Sequence, residues 1–436
     1  MRNQLIAAGS AAALATLLIA GCGTASPQAS GTASGTASAA ASSAPATSAA
    51  GNTGTPAPAG TATGAVAGSA PAAPACPAGP QAGTVTAGAL TGLQFVSAGQ
   101  GWAVGQHAVL STSDGGAHWT PQLSGQLNLT SVDFVSGQDG WAVGTSTLLA
   151  TTDGGAHWKS LPEPCPVIRS VHFLSPTTGY AVAGGSAQGS FGTGPEIPAL
   201  GGVVLTTNDG GHSWKPLAGP ADAQTVCFSD PQHGWLGAAG HLYATADGGR
   251  VWTSLTLASG SATPGNGTAS MSVECASGAA WALRIGPGAG MSQQAHVAFH
   301  ADQAGATAIF AEQYYQTPGS GPSAPAPGAY AGPFSAIDSA DAVFIDSCSP
   351  CGGYGTAPWD VASRSGVTLT KEGNVGGITS PEAASFLSAQ TGWVAGTDTV
   401  YQPSGKSRAQ ERIVATANGG RSWQVQYAGP WSAWTG

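Results

Sequence analysis

The sequence predicts an all-β fold: a seven-bladed β-propeller of four-stranded antiparallel blades, preceded by a disordered linker. Two recurring motifs and one contrast in composition indicate this fold. The first motif is an Asp-Gly-Gly or Asn-Gly-Gly turn with a Trp three residues later, and the second is a short strand followed by Gly-Trp and small residues. The contrast separates an N-terminal segment rich in Ala, Gly, Ser, Thr and Pro from a remainder that carries all the aromatic residues.

The first 21 residues predict a signal peptide. Arg2 supplies a positive charge, and the apolar stretch from Leu5 to Ala20 is short for a membrane span but has the length of a signal sequence. The stretch ends in Leu18-Ile19-Ala20-Gly21-Cys22, which resembles the bacterial lipobox and implies lipidation of Cys22. We therefore expect a lipid anchor on the extracytoplasmic face of the bacterial cell membrane. The alternative is an ordinary cleaved signal with an incidental Cys.

Residues 22–82 predict a flexible tether behind this anchor. No aromatic or charged residue occurs between Gly23 and Gly83. Such a segment cannot bury enough apolar surface to offset the entropy lost on ordering, so we expect it to be disordered. The predicted domains are a signal peptide over 1–21, a lipidated Cys and tether over 22–82, and the propeller over 83–436.

The Asp-Gly-Gly motif predicts a hairpin turn in each blade. An Asp-Gly or Asn-Gly pair between apolar runs favours a tight turn, because Gly and Asn adopt positive φ at low cost. The Asp side chain can also accept hydrogen bonds from amides of its own turn. We interpret these acids as turn formers rather than catalysts. The Asp or Asn and the Trp of the five copies are Asp114 and Trp119, Asp153 and Trp158, Asp209 and Trp214, Asp247 and Trp252, and Asn418 and Trp423.

The Gly-Trp motif sets the number of blades. Each unit reads as an inner strand (A), a Gly-Trp strand (B) and the two strands of the hairpin (C and D). Seven units occur, although the fifth and sixth lack the hairpin motif. In the sixth we place the inner strand at Ile337-Asp338-Ser339. Four short antiparallel strands repeated seven times predict a seven-bladed propeller.

The two motifs together carry a family resemblance. The hairpin motif looks like the Asp-box of bacterial neuraminidase-type (BNR) repeats. Its pairing with Val132-Asp133-Phe134 and Gly140-Trp141-Ala142-Val143-Gly144 resembles the photosystem II stability and assembly factor family. The resemblance implies a propeller and suggests assembly or stabilisation of a membrane complex. Sortilin-like receptors and xyloglucanases have similar repeats, so a photosynthetic role does not follow.

The connections between strands predict which face of the disc binds. The A–B and C–D turns are short and of constant length, whereas the B–C and D–A connections carry every insertion. In an up-and-down blade those two connections open on the same side, opposite the Asp-boxes, and loops on a rigid scaffold usually carry recognition. Aromatic residues and Arg anchor interfaces; the alternative is that these side chains only cover the disc. The candidate binding residues are Phe191, Glu196, Tyr314, Tyr315, Tyr330, Tyr354, Trp359, Tyr401, Arg408 and Arg412.

A second candidate group lies at the middle position of the inner strands. Its neighbours along each strand are mostly apolar, so by strand alternation this position points toward the central channel. Such a ring could hold a cation or a polar ligand, and the alternative is a water-filled channel. The candidate ring residues are Gln94, Asp133, His172, Glu274 and Asp338.

Composition argues against several other functions. The net charge of −9, with only 12 Lys and Arg, disfavours nucleic acid. The arginines do not cluster as a sialidase site requires. We identify no phosphate-binding loop and no paired His spacing for a metal, so no cofactor is predicted.

The cysteine count agrees with export. Six cysteines remain beyond Cys22, and an even number in an exported chain suggests disulfides. Cys227 and Cys275 fall on neighbouring inner strands, and their side chains should point in opposite directions from those strands. Because neighbouring blades oppose unlike faces, we expect a disulfide between them. We also expect Cys348–Cys351 to close its own small loop, which leaves Cys76–Cys165 as the third pair.

These observations favour a monomeric, non-enzymatic scaffold that binds a protein or a glycan through the insertion-bearing face. The alternative is a cell-surface glycoside hydrolase that uses carboxylates near the channel, such as Asp133, Glu274 and Asp338.

Overall fold

A computed structural model describes residues 90–165, 167–184, 202–220, 222–257, 269–289, 293–312, 330–347, 359–365, 368–402 and 404–434. All described residues belong to one compact unit, Ser69–Gly436. The predicted signal peptide, lipidation site and tether lie outside the described residues. Within them, the regular secondary structure is entirely β-strand.

The strands form seven four-stranded antiparallel sheets, each of four consecutive strands in chain order. We number these sheets as blades 1 to 7. Blades 1 to 4 comprise β1 Leu90–Phe95, β2 Gly101–Gly105, β3 Ala108–Thr112, β4 Thr120–Ser124; β5 Leu129–Phe134, β6 Gly140–Gly144, β7 Thr147–Thr151, β8 Lys159–Ser160; β9 Ile168–Phe173, β10 Gly179–Ala183, β11 Val203–Thr207, β12 Lys215–Pro216; β13 Ala223–Phe228, β14 Gly234–Ala238, β15 His241–Thr245 and β16 Thr253–Ser254.

Blades 5 and 6 keep four strands although they lack the Asp-box. Blades 5 to 7 comprise β17 Ser270–Ala276, β18 Ala279–Ala289, β19 Gln293–Ala301, β20 Ala306–Glu312; β21 Tyr330–Ala336, β22 Ala342–Ser347, β23 Trp359–Ser365, β24 Thr368–Asn374; β25 Ser380–Phe386, β26 Gly392–Tyr401, β27 Ser407–Thr416 and β28 Gln424–Ala428.

The seven blades close into a ring. The first strand of each blade packs against the first strand of the next, and β25 of blade 7 packs against β1 of blade 1. Blades 1 and 7 share no strand among the described residues, because their sheets run β1–β4 and β25–β28. The predicted seven-bladed propeller is confirmed, and its ring is closed by side-chain contacts.

The Gly-Trp motif supplies the packing between blades. Trp102 of blade 1 stacks on Phe134 of blade 2 with ring centroids 3.5 Å apart, and its Nε1 donates a hydrogen bond to the Gly154 carbonyl. Trp141 repeats both contacts toward blade 3, and Trp393 repeats them from blade 7 to blade 1. The preceding glycine is required, since a Cβ on Gly101 would lie 2.7 Å from the Phe95 ring.

Candidate functional site

Each Asp-box is a self-contained hydrogen-bonded turn. In blade 2, Thr151 Oγ1 donates to Asp153 Oδ1 at 2.8 Å and accepts the amide of Gly155 at 2.8 Å. The same carboxylate oxygen accepts the amide of His157 at 2.9 Å. Gly154 and Gly155 have φ of 72° and 88°, which L side chains rarely adopt. The other four boxes repeat these bonds.

These bonds stabilise the ionised carboxylates. Amide and side-chain donation by His118 and His157 lowers the pKa of Asp114 and of Asp153 to about 2. Asn418 replaces Asp in blade 7, and its Oδ1 still accepts the amide of Ser422 at 2.9 Å. A neutral amide can therefore occupy this position, as expected for a turn former.

The candidate ring residues link neighbouring blades. Each side chain at the ring position bonds to the residue that follows the ring position of the next blade. The links are Phe134 N to Gln94 Oε1 (2.6 Å), Phe173 N to Asp133 Oδ2 (2.6 Å), His172 Nε2 to Phe228 O (2.7 Å), the Cys227–Cys275 disulfide, Ala336 N to Glu274 Oε2 (2.8 Å), Phe386 N to Ser335 Oγ (3.0 Å) and Phe95 N to Ser385 Oγ (3.0 Å). Six hydrogen bonds and one disulfide thus complete a circuit.

The unpaired backbone edge of each blade's first strand explains why this circuit forms. The first strand of every blade pairs on one side only, so its other edge carries N–H and C=O groups without a partner in its sheet. Partly buried groups of this kind need acceptors or donors from elsewhere. The ring side chains supply them from the neighbouring blade. We conclude that Gln94, Asp133, His172 and Glu274 hold the blades together.

The prediction for Asp338 is wrong. The innermost strand of blade 6 ends at Ala336, and Asp338 lies in the turn after it, where its Oδ1 accepts the amides of Ala340 and Asp341. Ser335 occupies the ring position instead, because it accepts the amide of Phe386.

The two remaining ring carboxyls are held by these links. Burial raises the pKa of Asp133, although the charge of His172 and the hydrogen bond from the Phe173 amide oppose this rise. Burial also raises the pKa of Glu274, to about 7. Asp133 accepts at both oxygens, from Gln94 Nε2 at 3.4 Å and from Phe173 N at 2.6 Å. Asp133 and Glu274 belong to blades 2 and 5, so these two carboxyls are not neighbours in the ring.

Only part of the candidate binding face lies in the described residues. Tyr401, Arg408 and Arg412 are described with their side chains, whereas Tyr330 and Trp359 are placed only as the first residues of β21 and β23. The other candidates lie outside the described residues: Phe191, Glu196, Tyr314, Tyr315 and Tyr354.

The blade 7 insertion is an extension of the sheet. β26 and β27 remain paired as far as Tyr401 and Ser407, and a turn closed by the Gln402 amide and the Lys406 carbonyl joins them. The C-terminal segment continues along β27, where Ser432 N donates to Ala409 O at 2.8 Å and Ser432 Oγ accepts from Ala409 N at 2.9 Å. We call β26, β27 and residues 429–434 at this end the blade 7 hairpin.

The two candidate arginines have different surroundings there. Arg412 pairs with Asp398 at 2.8 Å and donates to the Gly377 carbonyl at 3.0 Å. Arg408 instead lies against two indole rings, 4.3 Å from the Trp431 centroid and 4.8 Å from that of Trp434. We call this second arrangement the tryptophan–arginine stack. Arg412 is thus committed to structure, whereas the guanidinium of Arg408 contacts the two rings.

Sequence reasoning named Tyr401 on this hairpin but missed Val400 and Trp434. Val400, Tyr401 and Trp434 are 37%, 68% and 39% exposed. The signal available was Trp431-Ser432-Ala433-Trp434 beside a positively charged strand. Its meaning depends on the tail folding back along β27.

The clefts on the other face are small and polar. One of about 200 Å³ lies between the boxes of blades 1 and 2, lined by Gln100, Asp114, His118 and Asp153 among others. Its carboxylates already accept bonds from their own turns. Across the described residues, no group of His, Cys, Asp and Glu is arranged to hold a metal ion.

Among the residues searched, the structure holds no helix with the length and apolarity needed to cross a membrane.

The predicted Cys227–Cys275 disulfide is confirmed, with Cα atoms 5.6 Å apart. Cys165 is also disulfide-bonded. Cys76, Cys348 and Cys351 lie outside the described residues, so the other two pairings stay predictions.

The chain is similar to several solved structures and to one family model. Three solved structures are similar: YCF48 bound to D1 peptide (15% identity, 69% of this chain and 81% of that chain, TM-score 0.39), U3-55K (8%, 72% and 89%, 0.47) and an ancestral GH74 enzyme (11%, 78% and 62%, 0.30). Likenesses this distant carry no functional argument. No curated protein matches the chain.

A family model matches the first part of the ring. Residues 83–165 match the photosynthesis system II assembly factor YCF48, a range that includes both Gly-Trp-Ala-Val-Gly strands and the first two Asp-boxes. The chain is therefore a β-propeller of BNR-type repeats that resembles the photosystem II assembly factor.

Proposed function

We propose that this protein is a binding scaffold that holds a macromolecular ligand, a protein segment or a glycan, on its insertion-bearing face. The observation that carries the proposal is a difference between the parts of the ring: some polar residues hold the fold together, whereas the insertion-bearing face exposes apolar side chains. The Asp-boxes and the inner ring are committed to holding the turns and blades together. The insertion-bearing face carries the blade 7 hairpin with its exposed Val400, Tyr401 and Trp434. The family match supports an assembly role of this general kind.

The location of the scaffold is part of the proposal. The lipobox-like sequence before Cys22 and the uncharged stretch over 23–82 support display of the propeller outside the cell membrane on a lipid anchor. Cys22→Ser should move the protein from the membrane fraction to the soluble fraction and abolish labelling by a fatty-acid analogue. Unchanged fractionation would contradict the anchor and leave the binding role intact.

The hydrolase alternative has less support. Such an enzyme needs two carboxylates facing the substrate at a separation of roughly 5–9.5 Å. Both oxygens of Asp133 are occupied, and Glu274 accepts an amide of the next blade. The observations therefore favour binding over hydrolysis.

The binding role is tested by affinity capture with the full-length, membrane-anchored protein. Deletion of residues 313–329, within one insertion of the proposed face, should remove the captured partner. The matched control replaces His118 and His157 by Ser, because these side chains are 87% and 86% exposed on the opposite face. The proposal fails if the control loses the partner and the loop deletion keeps it.

A further inference from the structure

The tryptophan–arginine stack of the blade 7 hairpin has a property that packing alone does not explain. The ring centroids of Trp431 and Trp434 lie 4.3 and 4.8 Å from the central carbon of the Arg408 guanidinium. Within the described part of the chain, this guanidinium makes no hydrogen bond and no ion pair, and its Nε is buried without an acceptor. A buried donor without an acceptor is rare in folded proteins and calls for an explanation.

Stacking also prepares Arg408 for an anion. The rings fix the plane of the guanidinium, so less side-chain freedom is lost when a ligand binds. Contact with the rings leaves the N–H groups of the guanidinium unused, and these are the groups that bind a carboxylate in a fork-like pair. Arg408 is partly exposed but its Nε is buried, so a ligand would pair with the two terminal nitrogens.

The charge of the hairpin points to the same ligand chemistry. The chain has 12 Lys and Arg against 21 Asp and Glu, yet Lys406, Arg408 and Arg412 all fall within seven residues. Arg412 is neutralised by Asp398, whereas Lys406 is exposed at the turn. Glu411 lies in the same stretch, and burial raises its pKa to about 7, which reduces its negative charge. Lys406 and Arg408 therefore leave the hairpin tip positive on an acidic protein, and the tip complements an anionic partner.

The shape of the patch favours a sugar polymer over a peptide. A peptide commonly adds a strand to a free sheet edge or fills side-chain pockets. The tail already pairs with β27 through Ser432 and Ala409, so strand addition is blocked on that side. The flat rings of Tyr401 and Trp434 remain exposed there, and flat aromatic faces are surfaces on which the C–H groups of a pyranose ring stack.

We propose that the blade 7 hairpin binds an acidic polysaccharide, with a uronic-acid carboxylate on Arg408 and a neighbouring sugar ring on Trp434. The inference rests on the proposed binding function and names its ligand class. Lys406 adds attraction for further carboxylates along the polymer.

Titration of the full-length protein with polygalacturonate, followed by Trp fluorescence and calorimetry, tests the site. Arg408→Gln should weaken binding by about tenfold or more, and Arg408→Lys should restore part of it because the charge returns without the fork. Trp434→Ala should weaken binding by about fivefold. Since Trp434 is an exposed residue near the chain end, this variant still decides the question if Arg408→Gln fails to fold.

Two controls fix the interpretation. Arg250→Gln removes the same charge from the Asp-box of blade 4 and should leave the affinity within about twofold, because Arg250 bonds within its own turn and is not part of the blade 7 hairpin. Dextran, a neutral polymer, should not bind. The site is overturned if wild-type protein ignores polygalacturonate, or if Arg408→Gln and Trp434→Ala bind it as wild type does.

Polyglutamate separates sugar recognition from simple charge attraction. Equal affinity for polyglutamate and polygalacturonate would overturn the assignment of a sugar ligand. If polygalacturonate fails while deletion of residues 313–329 still removes the captured partner, this inference falls and the proposed function stands. If neither experiment shows binding through this face, both fall.

Discussion

The threonine two positions before each Asp-box carboxylate organises its turn at the scale of single residues. Thr151 is 3% exposed, donates to Asp153 and accepts the amide of Gly155. The Asp alone drew attention in the sequence, because its role in tight turns is general. The Thr contribution becomes visible only when the hydroxyl is seen inside the turn.

Thr151→Val should destabilise the fold. The change keeps the shape of the side chain but leaves the buried Gly155 amide without its acceptor, which costs about 1–3 kcal/mol. Urea denaturation checks this value. Thr120→Val is the control, because Thr120 is exposed in β4 and should change the free energy of unfolding by less than about 0.5 kcal/mol. Equal effects of the two changes would contradict the role of Thr151.

The Asp-box acids should set part of the acid sensitivity. The pKa of Asp114, Asp153 and Asp209 is lowered from 3.8 to about 2 in the fold. Folded-state values below the unfolded values stabilise the protein above pH 3.8, and this stabilisation is lost as the pH falls to about 2.

Replacing these three Asp residues by Asn, as at position 418, should retain the fold and reduce the loss of stability between pH 4 and pH 2. Thermal unfolding across this range measures the change. A triple variant with the acid sensitivity of the wild type would show that the boxes do not contribute to it.

At the scale of elements, the link between blades 4 and 5 differs from the other six because it is covalent. Cys227 and Cys275 close a separation of 48 residues. Loop-closure entropy predicts that the double change to Ser lowers the free energy of unfolding by about 2–4 kcal/mol. Ser335→Ala, which removes one hydrogen-bonded link, should cost less, about 1–2 kcal/mol. Denaturant titrations that rank the two variants in the opposite order would contradict the comparison.

The elements also show where sequence reasoning stops. The blade count, the Asp-boxes and the Cys227–Cys275 pair followed from periodic motifs whose geometry is local. Blade 6 has neither the Gly-Trp motif nor the box, and its β21–β22 pairing shifts register between Ala331 and Phe334. Without those markers, Asp338 was assigned to a strand three residues too late. The tryptophan–arginine stack escaped prediction because the tail must first fold back on β27.

At the scale of the whole molecule, the junction between blades 7 and 1 joins the last blade along the chain to the first. Among the described residues, these two blades meet through contacts such as Phe95 with Trp393 and the Phe95 amide with Ser385. The other junctions keep a covalent connection when their contacts break. We expect global unfolding to begin at the blade 7–blade 1 junction.

Trp393→Phe should therefore accelerate unfolding more than the equivalent change Trp141→Phe. Both remove an indole hydrogen bond to an Asp-box carbonyl, at 3.0 and 2.9 Å. A bond that is broken in the transition state stabilises only the folded state, so its loss mainly speeds unfolding. If only the Trp393 bond breaks this early, the unfolding rate of Trp393→Phe should exceed that of Trp141→Phe by about threefold or more. Unfolding rates in denaturant measure this difference, and equal rates would place the first opening elsewhere.

The circuit of links around the axis has a consequence for how such a ring can change in size. Each of the six hydrogen-bonded links runs in the same sense, from the ring side chain of one blade to the backbone of the residue that follows the ring position in the next blade. A blade with hydrogen-bonded links on both flanks therefore carries the side-chain half of a joint on one flank and the backbone half on the other. A tandem copy of such a blade would bring both halves with it, and the existing neighbours would need no new residues to accept it.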